Sequence, residues 1–515
     1  MILITSAAYV NPSLASEFGQ LPPCMLPVQN KRLYMHQISL CATLEEQVWI
    51  SLPSSYNLSE HDKNQLAQCN AIPIMVPDGL SLGQSVVYCL NSIGRFDEPL
   101  HILHGDTLFK ELPHTTDCYL VAKAADNYAW ASVDQETVYA GFFSFSEPSL
   151  LIRCVTENNN DFIAGIESYD SQKPLSRVES NSWMDFGLVN TYYRSISNLT
   201  TERAFNDLNI GRFSLRKSSH DINKILAEAN WIQSLPKSLR HYAPAVWDSG
   251  IENGQGFYEM EYCYLSSLAN LFVFCSHPRF VWNDILNACQ IFITDIAQYR
   301  PKSKTDISQI ARNNNNLFTS KTIKRLERFS IENSISLDTK LTFNGIETPS
   351  LRQISEETGE MIGSDKCDFV TLMHGDFCFS NILYDFKSKS IKVIDPRGID
   401  NNGSFSLYGD IRYDVAKLAH SVLGLYDFII AGIFDYDELS PYEIKLQFNL
   451  PASVLNIQEL FKSMHFDGSD ISSLNVYPIM VQLFLSMLPL HNDNPQRQKA
   501  MLANALRLYI ELKSN

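Results

Sequence analysis

The chain has 515 residues, 57 acidic against 41 basic, and a net charge of −16. That length exceeds what one ordinary hydrophobic core organises, so two or three domains are expected. The acidic balance argues against a broad nucleic-acid or anionic-membrane surface and leaves room only for a small basic pocket for phosphate.

The opening "MILITSAAYV" is apolar but lacks a basic n-region and a cleavage signal, so it reads as a buried first strand. No run approaches the roughly 18 apolar residues a membrane span needs. From 1 to about 195, apolar runs such as "EQVWISL", "AIPIMV", "LHILHGD" and "YAGFFSF" alternate with polar, helix-like stretches. Strands alternating with helices predict a mostly parallel sheet covered on both faces. The domain boundary is expected at about 196–204, in "SISNLTTER". Beyond it, "GRFSLRKSS" predicts a strand, "HDINKILAEANWIQSLP" an amphipathic helix ended by Pro236, and "GFYEMEYCY" another strand. After residue 265 the chain reads as mainly helical, interrupted by "FVTLMHGD" and "SIKVIDPRG"; "NNNN" at 313–316 reads as a loop or helix start. The eleven cysteines, Cys24 to Cys378, include no C-x-x-C pair and fit buried thiols in a reducing cytoplasm. A cytoplasmic protein without membrane insertion is expected; its oligomeric state is open.

His-Gly-Asp occurs twice, in "ILHGDTLF" and in "LMHGDFCFSNILYD". In the later copy, Asn381 lies five residues after Asp376, and the strand-like "IKVID" brings Asp395 close. That is the order a phosphoryl transferase needs: a carboxylate for the attacking hydroxyl, and two oxygen donors for the cation that neutralises a polyphosphate. The stretch resembles the aminoglycoside phosphotransferase and choline kinase superfamily, with its H-G-D-x-x-x-x-N and a strand ending in I-D. The resemblance implies Asp376 as catalytic base, Asn381 and Asp395 as Mg²⁺ ligands, and ATP as donor. It also covers "GDIRYDVAKLAHS", where Asp410 and Asp414 are expected to brace the loop. Lys217, with Glu228 eleven residues on, resembles the strand lysine and helix glutamate that hold the phosphates. "YEMEY", 258–262, including Glu261, is expected to meet the adenine through backbone groups. Because no G-x-G-x-x-G precedes Lys217, "NDLNIGR" would have to cover the phosphates.

The earlier copy has Glu111 where the kinase loop has Asn. Its neighbourhood resembles the sugar-phosphate nucleotidyltransferases, along with "LPVQNKRLYMHQI", "AGFFSFS" and "SWMDFGLVNTYYRS". The resemblance implies Asp106 and Asp185 as the carboxylates that hold Mg²⁺ under a second NTP (CTP, UTP or dTTP), with pyrophosphate as leaving group. The opening loop departs from that family: Glu17 stands where an arginine is expected, and Pro23 or Cys24 where a lysine is. Lys31 and Arg32 are candidates to compensate, and Lys173 or Arg177 to meet an acceptor phosphate.

The two resemblances imply an α/β, multidomain chain: a nucleotidyltransferase-like domain at 1–198, a kinase N-lobe at 199–268 and a helical kinase C-lobe at 269–515. The implied function is a bifunctional kinase–nucleotidyltransferase. It would phosphorylate a sugar, polyol or amino alcohol with ATP and couple the phosphate to a nucleotide, for surface or capsule polysaccharide precursors. Two alternatives stand beside it: a small-molecule kinase with a degenerate, nucleotide-sensing N-terminal domain, and a non-catalytic nucleotide-binding scaffold. Choline is one candidate acceptor. It needs an aromatic cage, and Trp282, Phe405, Tyr408 and Tyr413 are the nearest aromatics to consider.

Overall fold

The computed structural model describes residues 1–123, 131–199, 207–363, 366–400 and 402–514, with their side chains except those of 207 and 314–317. The chain forms two compact units, Met1–Leu199 and Thr200–Asn515. Of the predicted boundary stretch, 200–204 lie outside the described residues.

The first unit is built on a seven-stranded sheet. Strand Ile2–Thr5 sits inside it, parallel to Val48–Pro53 on one side and to Leu100–His104 on the other. Ala71–Val76 extends the parallel side, while Thr137–Phe145 runs antiparallel to Leu100–His104 and to Cys118–Lys123. The sheet is therefore mixed, and "AGFFSF" is its reversing strand. On one face, Leu3, Ile102, Phe143 and Phe145 pack against Val86, Leu90, Leu151, Val155, Phe162 and Tyr169, all buried. Burial of each such side chain contributes about 1.5–3 kcal/mol. The helix Leu82–Ile93 starts at a capping box between Ser81 and Gln84 and stops at Gly94, whose φ of 68° suits glycine.

The second unit opens with a four-stranded antiparallel sheet in the order Asp207–Ile210, Ser214–Ser219, Gln255–Glu261, Val246–Glu252. The helix Ile222–Gln233 lies on it, Ile225 and Ala229 against Tyr258 and Met260. A helical part follows around Val476–Met487, a helix buried nearly all round. It differs from the sequence reading in two places. Residues 313–315 end a helix, Lys304–Asn315, and 316 begins the π-type turn Asn316–Ser320 that follows it. A second four-stranded sheet, Ile346–Ser350, Lys340–Phe343, Glu443–Gln447, Asp435–Ser440, stands where only helices were expected. Lys340–Phe343 and Glu443–Gln447 do alternate buried and exposed residues, but each is only four or five residues long and they lie far apart in the chain. Among the described residues no helix is long and apolar enough to cross a membrane. All eleven cysteines are free, most of them buried.

Candidate active sites

In the second unit, strand Val370–Leu372 pairs with Tyr408–Asp410 and delivers the later His-Gly-Asp into a loop. Gly375 has φ 81°, and a Cβ there would fall 2.5 Å from Arg397 Cβ, so the turn needs glycine. Asp414, buried in the helix Ile411–Val422, accepts the N–H groups of His374 and Gly375, both at 2.7 Å. Trp231 donates to the Met373 carbonyl at 2.9 Å. Asp410 caps the same helix and is bound by the buried Arg412. The loop is thus held from several sides by groups that leave the Asp376 side chain clear. His374 Nδ1 accepts from the Asp376 N–H at 3.2 Å, and burial lowers the imidazole to about 4, so the ring is neutral.

Asp376 is 40% exposed at its side chain, while its partner Lys417 is 13% exposed; Lys417 Nζ lies 2.8 Å from Asp376 Oδ1. The carboxylate therefore faces solvent and its counter-cation is sunk behind it. Burial alone would raise the Asp376 carboxyl, but the Lys417 ammonium outweighs it and brings it below the ordinary value. Asn381 Nδ2 donates to the other carboxylate oxygen and to the Asp376 carbonyl, both at 3.0 Å. That orientation turns the Asn381 amide oxygen away from Asp376. The Ile394 N–H donates to the Asn381 carbonyl at 3.0 Å, so Asn381 and Asp395 flank the mouth of the hairpin Ile382–Asp385/Ser390–Val393. An amide oxygen and a carboxylate are hard donors of the kind Mg²⁺ takes alongside phosphates and water.

Lys217 Nζ bridges Glu228 Oε2 at 2.7 Å and Asp395 Oδ1 at 3.0 Å. Tyr258 OH also donates to Glu228 Oε2, at 3.1 Å. Burial opposes the charge on Lys217, but Asp395 and Glu228 overcome it and hold the ammonium protonated. Gly398 (φ 63°) lets the two parts meet: a Cβ there would fall 2.3 Å from the Ala227 carbonyl oxygen, beside Glu228. Tyr258, within the expected adenine-contacting stretch, instead points into the sheet and braces the ion pair. Glu261 ends that strand; its side chain is exposed and accepts from the Ala245 N–H at 3.4 Å. The phosphate-covering candidate "NDLNIGR" forms the Asp207–Ile210 strand and the turn after it; Asn206 lies outside the described residues.

In the first unit, Asp106 follows the carboxyl end of Leu100–His104, where ligands bind in open α/β sheets. Thr107–Leu108 pairs with Met184–Asp185, and the Phe186 N–H donates to the Asp106 carbonyl at 2.8 Å. Both carboxylates converge on Gly187: a Cβ there would lie 2.6 Å from Asp106 Oδ2 and 3.1 Å from Asp185 Oδ1. Burial raises the Asp106 carboxyl. Two such carboxylates fit Mg²⁺ with a nucleotide phosphate completing the shell; among the described residues no group of three or more His, Cys, Asp or Glu forms a metal cluster.

The other candidates scatter. Lys31 is exposed beside the tight turn Gln29–Asn30. Arg32 donates to the Met25 carbonyl at 2.8 Å and lies 3.6 Å from Asp62. Lys173 pairs with Glu147 and Arg177 with Asp134, each at 2.6 Å near the surface. Glu17 is hydrogen-bonded by Tyr193. Asn11 caps the helix Pro12–Phe18, and its side chain takes the N–H groups of Ser13 and Leu14. The loop that binds triphosphate in the resembled family is here a short helix whose first amides are already engaged.

No family model matches the chain, and no curated protein matches it. Solved structures similar to parts of it include nucleotidyltransferases and aminoglycoside phosphotransferases. A glucose-1-phosphate thymidylyltransferase from Bacillus anthracis, described as putative, is 12% identical over 39% of this chain and 97% of its own, with a TM-score of 0.32. The inositol-1-phosphate CTP transferase from T. maritima is 12% identical over 38% and 94%, at 0.31. A thermostable aminoglycoside phosphotransferase, APH(4)-Ia, is 13% identical over 61% and 94%, at 0.38. The mixed α/β, multidomain class expected from the sequence is the one found.

Proposed function

We propose that the chain is a bifunctional transferase, with a nucleotidyltransferase-like domain at 1–198, a kinase N-lobe at 199–268 and a helical kinase C-lobe at 269–515. The observation that carries the kinase assignment is the arrangement of Lys217, Glu228 and Asp395 beside Asp376, Asn381 and Lys417. Asp376 accepts the proton of an acceptor hydroxyl as that oxygen attacks the terminal phosphorus of ATP and ADP leaves. Lys417 keeps Asp376 ionised between turnovers. Lys217 addresses the ATP phosphates, and the backbone around Glu261 meets the adenine. Mg²⁺, held by Asn381 and Asp395, supplies positive charge to the polyphosphate when bound.

In the N-terminal domain, Asp106 and Asp185 hold the second Mg²⁺ for CTP, UTP or dTTP, and Lys31 lies at the rim. The phosphate made by the kinase attacks the α-phosphorus and pyrophosphate leaves. The product would be a nucleotide-activated precursor for a surface or capsule polymer, made in the cytoplasm. The engaged amides at Asn11 favour one second reading, a kinase whose N-terminal domain senses nucleotide without turnover. Thermal shifts and pyrophosphate release of the full chain with Mg²⁺, each NTP and the phosphorylated acceptor, repeated on Asp106→Ala, separate the two. Pyrophosphate release lost in the variant supports the bifunctional reading. Nucleotide binding without any pyrophosphate release supports the second.

A further inference from the structure

Within "LPVQNKRLYMHQI", Arg32 turns to the Met25 carbonyl and to Asp62, whereas Gln37 turns to the loop that carries Asp106. Gln37 lies on the helix Leu33–Cys41, which also buries Leu33, Tyr34, Ile38 and Cys41, and is itself 0% exposed. A polar side chain sunk among apolar ones must find its partners inside the protein. Its amide nitrogen Nε2 donates to the His104 carbonyl at 2.9 Å and to the Thr107 carbonyl at 2.8 Å. These two residues stand on either side of Gly105-Asp106.

The reverse orientation of the amide would set its oxygen against two carbonyl oxygens, so the nitrogen sits between them. The buried Oε1 is left without a hydrogen bond among the described residues. An unpaired buried acceptor is penalised by its lost hydration, yet the fold keeps it there with both amide protons on the one turn. Backbone contacts hold the rest of that turn. The Gly105 N–H donates to the Thr5 carbonyl, and the Asp106 carbonyl accepts from the Phe186 N–H, both at 2.8 Å. A Cβ on Gly105 would fall 2.7 Å from Ser6 Cβ, so the turn lies tight against the end of the first strand. With both flanking carbonyls fixed, the Asp106 side chain leaves the turn toward Gly187, where it meets Asp185. Bridging the two carbonyls needs one neutral group that donates twice. Glutamate would set oxygen against oxygen, and methionine would fill the space and donate nothing.

We propose that Gln37 is a positioning residue of the Asp106–Asp185 site. Through the His104 and Thr107 carbonyls it aims the Asp106 carboxylate at Asp185, and so sets the affinity of the pair for a divalent cation. This rests on the reading of the two carboxylates as a metal site.

The test titrates the full chain with Mn²⁺ and counts the free ion by electron paramagnetic resonance, each variant being held below its first melting transition. The binding lost in Asp106→Ala defines the N-terminal site and separates it from cation held elsewhere in the chain. In Gln37→Met the dissociation constant of that site should rise by about 10–100-fold, the loss that follows removal of a group orienting a metal ligand. Gln37→Glu, nearly the same shape, should raise it at least as far. Leu151→Ala opens a cavity in the core of the same unit from another helix, Pro148–Glu157, and should lower stability while leaving the Mn²⁺ affinity unchanged. With Mg²⁺ and the NTPs, pyrophosphate release in Gln37→Met should need correspondingly more Mg²⁺, while ADP release keeps its own Mg²⁺ dependence. An unchanged Mn²⁺ affinity in the Gln37 variants, an equal loss in Leu151→Ala, or a parent with no Asp106-dependent Mn²⁺ binding would overturn the proposal. Mn²⁺ binding that depends on Gln37, in a chain that releases no pyrophosphate, would uphold the positioning role and reject the nucleotidyltransferase reading instead.

Discussion

Lys417 reaches the carboxylate of Asp376 at 2.8 Å from a helix that the sequence places well beyond the catalytic loop. The pair puts a buried cation directly behind an open carboxylate. Replacing Lys417 by Met removes the charge that holds Asp376 ionised and leaves burial to disfavour its charged form. Phosphoryl transfer in Lys417→Met should fall by about 10²-fold in kcat, in the range typical of a general base, with the KM for ATP within about twofold. Lys417→Arg should recover part of the rate. Steady-state kinetics on the two variants distinguishes a catalytic charge from packing alone, which Met would satisfy.

The Lys217–Glu228 pair is buried at both ends, with side chains 5% and 2% exposed. Removing one member strands the other charge, a loss of about 3–5 kcal/mol. Lys217→Met should therefore lower the urea midpoint of the second unit as well as weaken ATP binding, whereas Lys217→Met combined with Glu228→Gln should recover much of the stability but not the binding. A double-mutant cycle by denaturant titration, with ATP affinity measured alongside, checks both parts.

Gly187 is the contact point of the two N-terminal carboxylates. Gly187→Ala inserts a methyl group 2.6 Å from Asp106 Oδ2, so the carboxylates must part. Pyrophosphate release should drop by about tenfold or more, following the rate loss expected from a misplacement of about 1 Å. ADP release by the kinase should be unchanged. Parallel assays of the two products read this directly.

Much of the kinase-like site is legible in the sequence because its chemistry sits in short spans. Asp376, Asn381 and Asp395 lie on one loop and the hairpin after it, and Asp414 does brace the loop through two amides. Lys417 stands in "GDIRYDVAKLAHS", but its contact with Asp376 is not legible there, because lysine on a helix is ordinarily solvated. The strand at "GFYEMEYCY" is legible, but the contact that its alternation gives Tyr258, inward onto Glu228, is not. In the first unit, Asp106 and Asp185 are visible as acids at strand ends. The fate of Glu17 is not visible, because it is set by Tyr193, far along the chain.

The buried His374 gives an acid-side stability prediction. Its folded value, about 4, lies below the 6.5 of the unfolded chain. Its contribution is fully present above pH 6.5 and is lost as pH falls through 4. At about 1.4 kcal/mol per pH unit, the loss is at most about 3.5 kcal/mol. The stability gap between the parent and His374→Asn should be constant above pH 6.5 and shrink, or reverse, from there down to pH 4. Urea titrations across that window check it.

The central claim is that two separate carboxylate sites act in sequence, and one phosphorus NMR experiment tests it most directly. The full chain is incubated with Mg²⁺, ATP, a mixture of CTP, UTP and dTTP, and a panel of sugars, polyols and amino alcohols. The account predicts ADP and pyrophosphate together, with a new diphosphate ester signal. Asp376→Asn should stop all three, while Asp106→Ala should stop pyrophosphate and the diphosphate ester together, leave ADP release in place and let a phosphate monoester accumulate. Pyrophosphate formation without ADP, or both products surviving in Asp376→Asn, would contradict it.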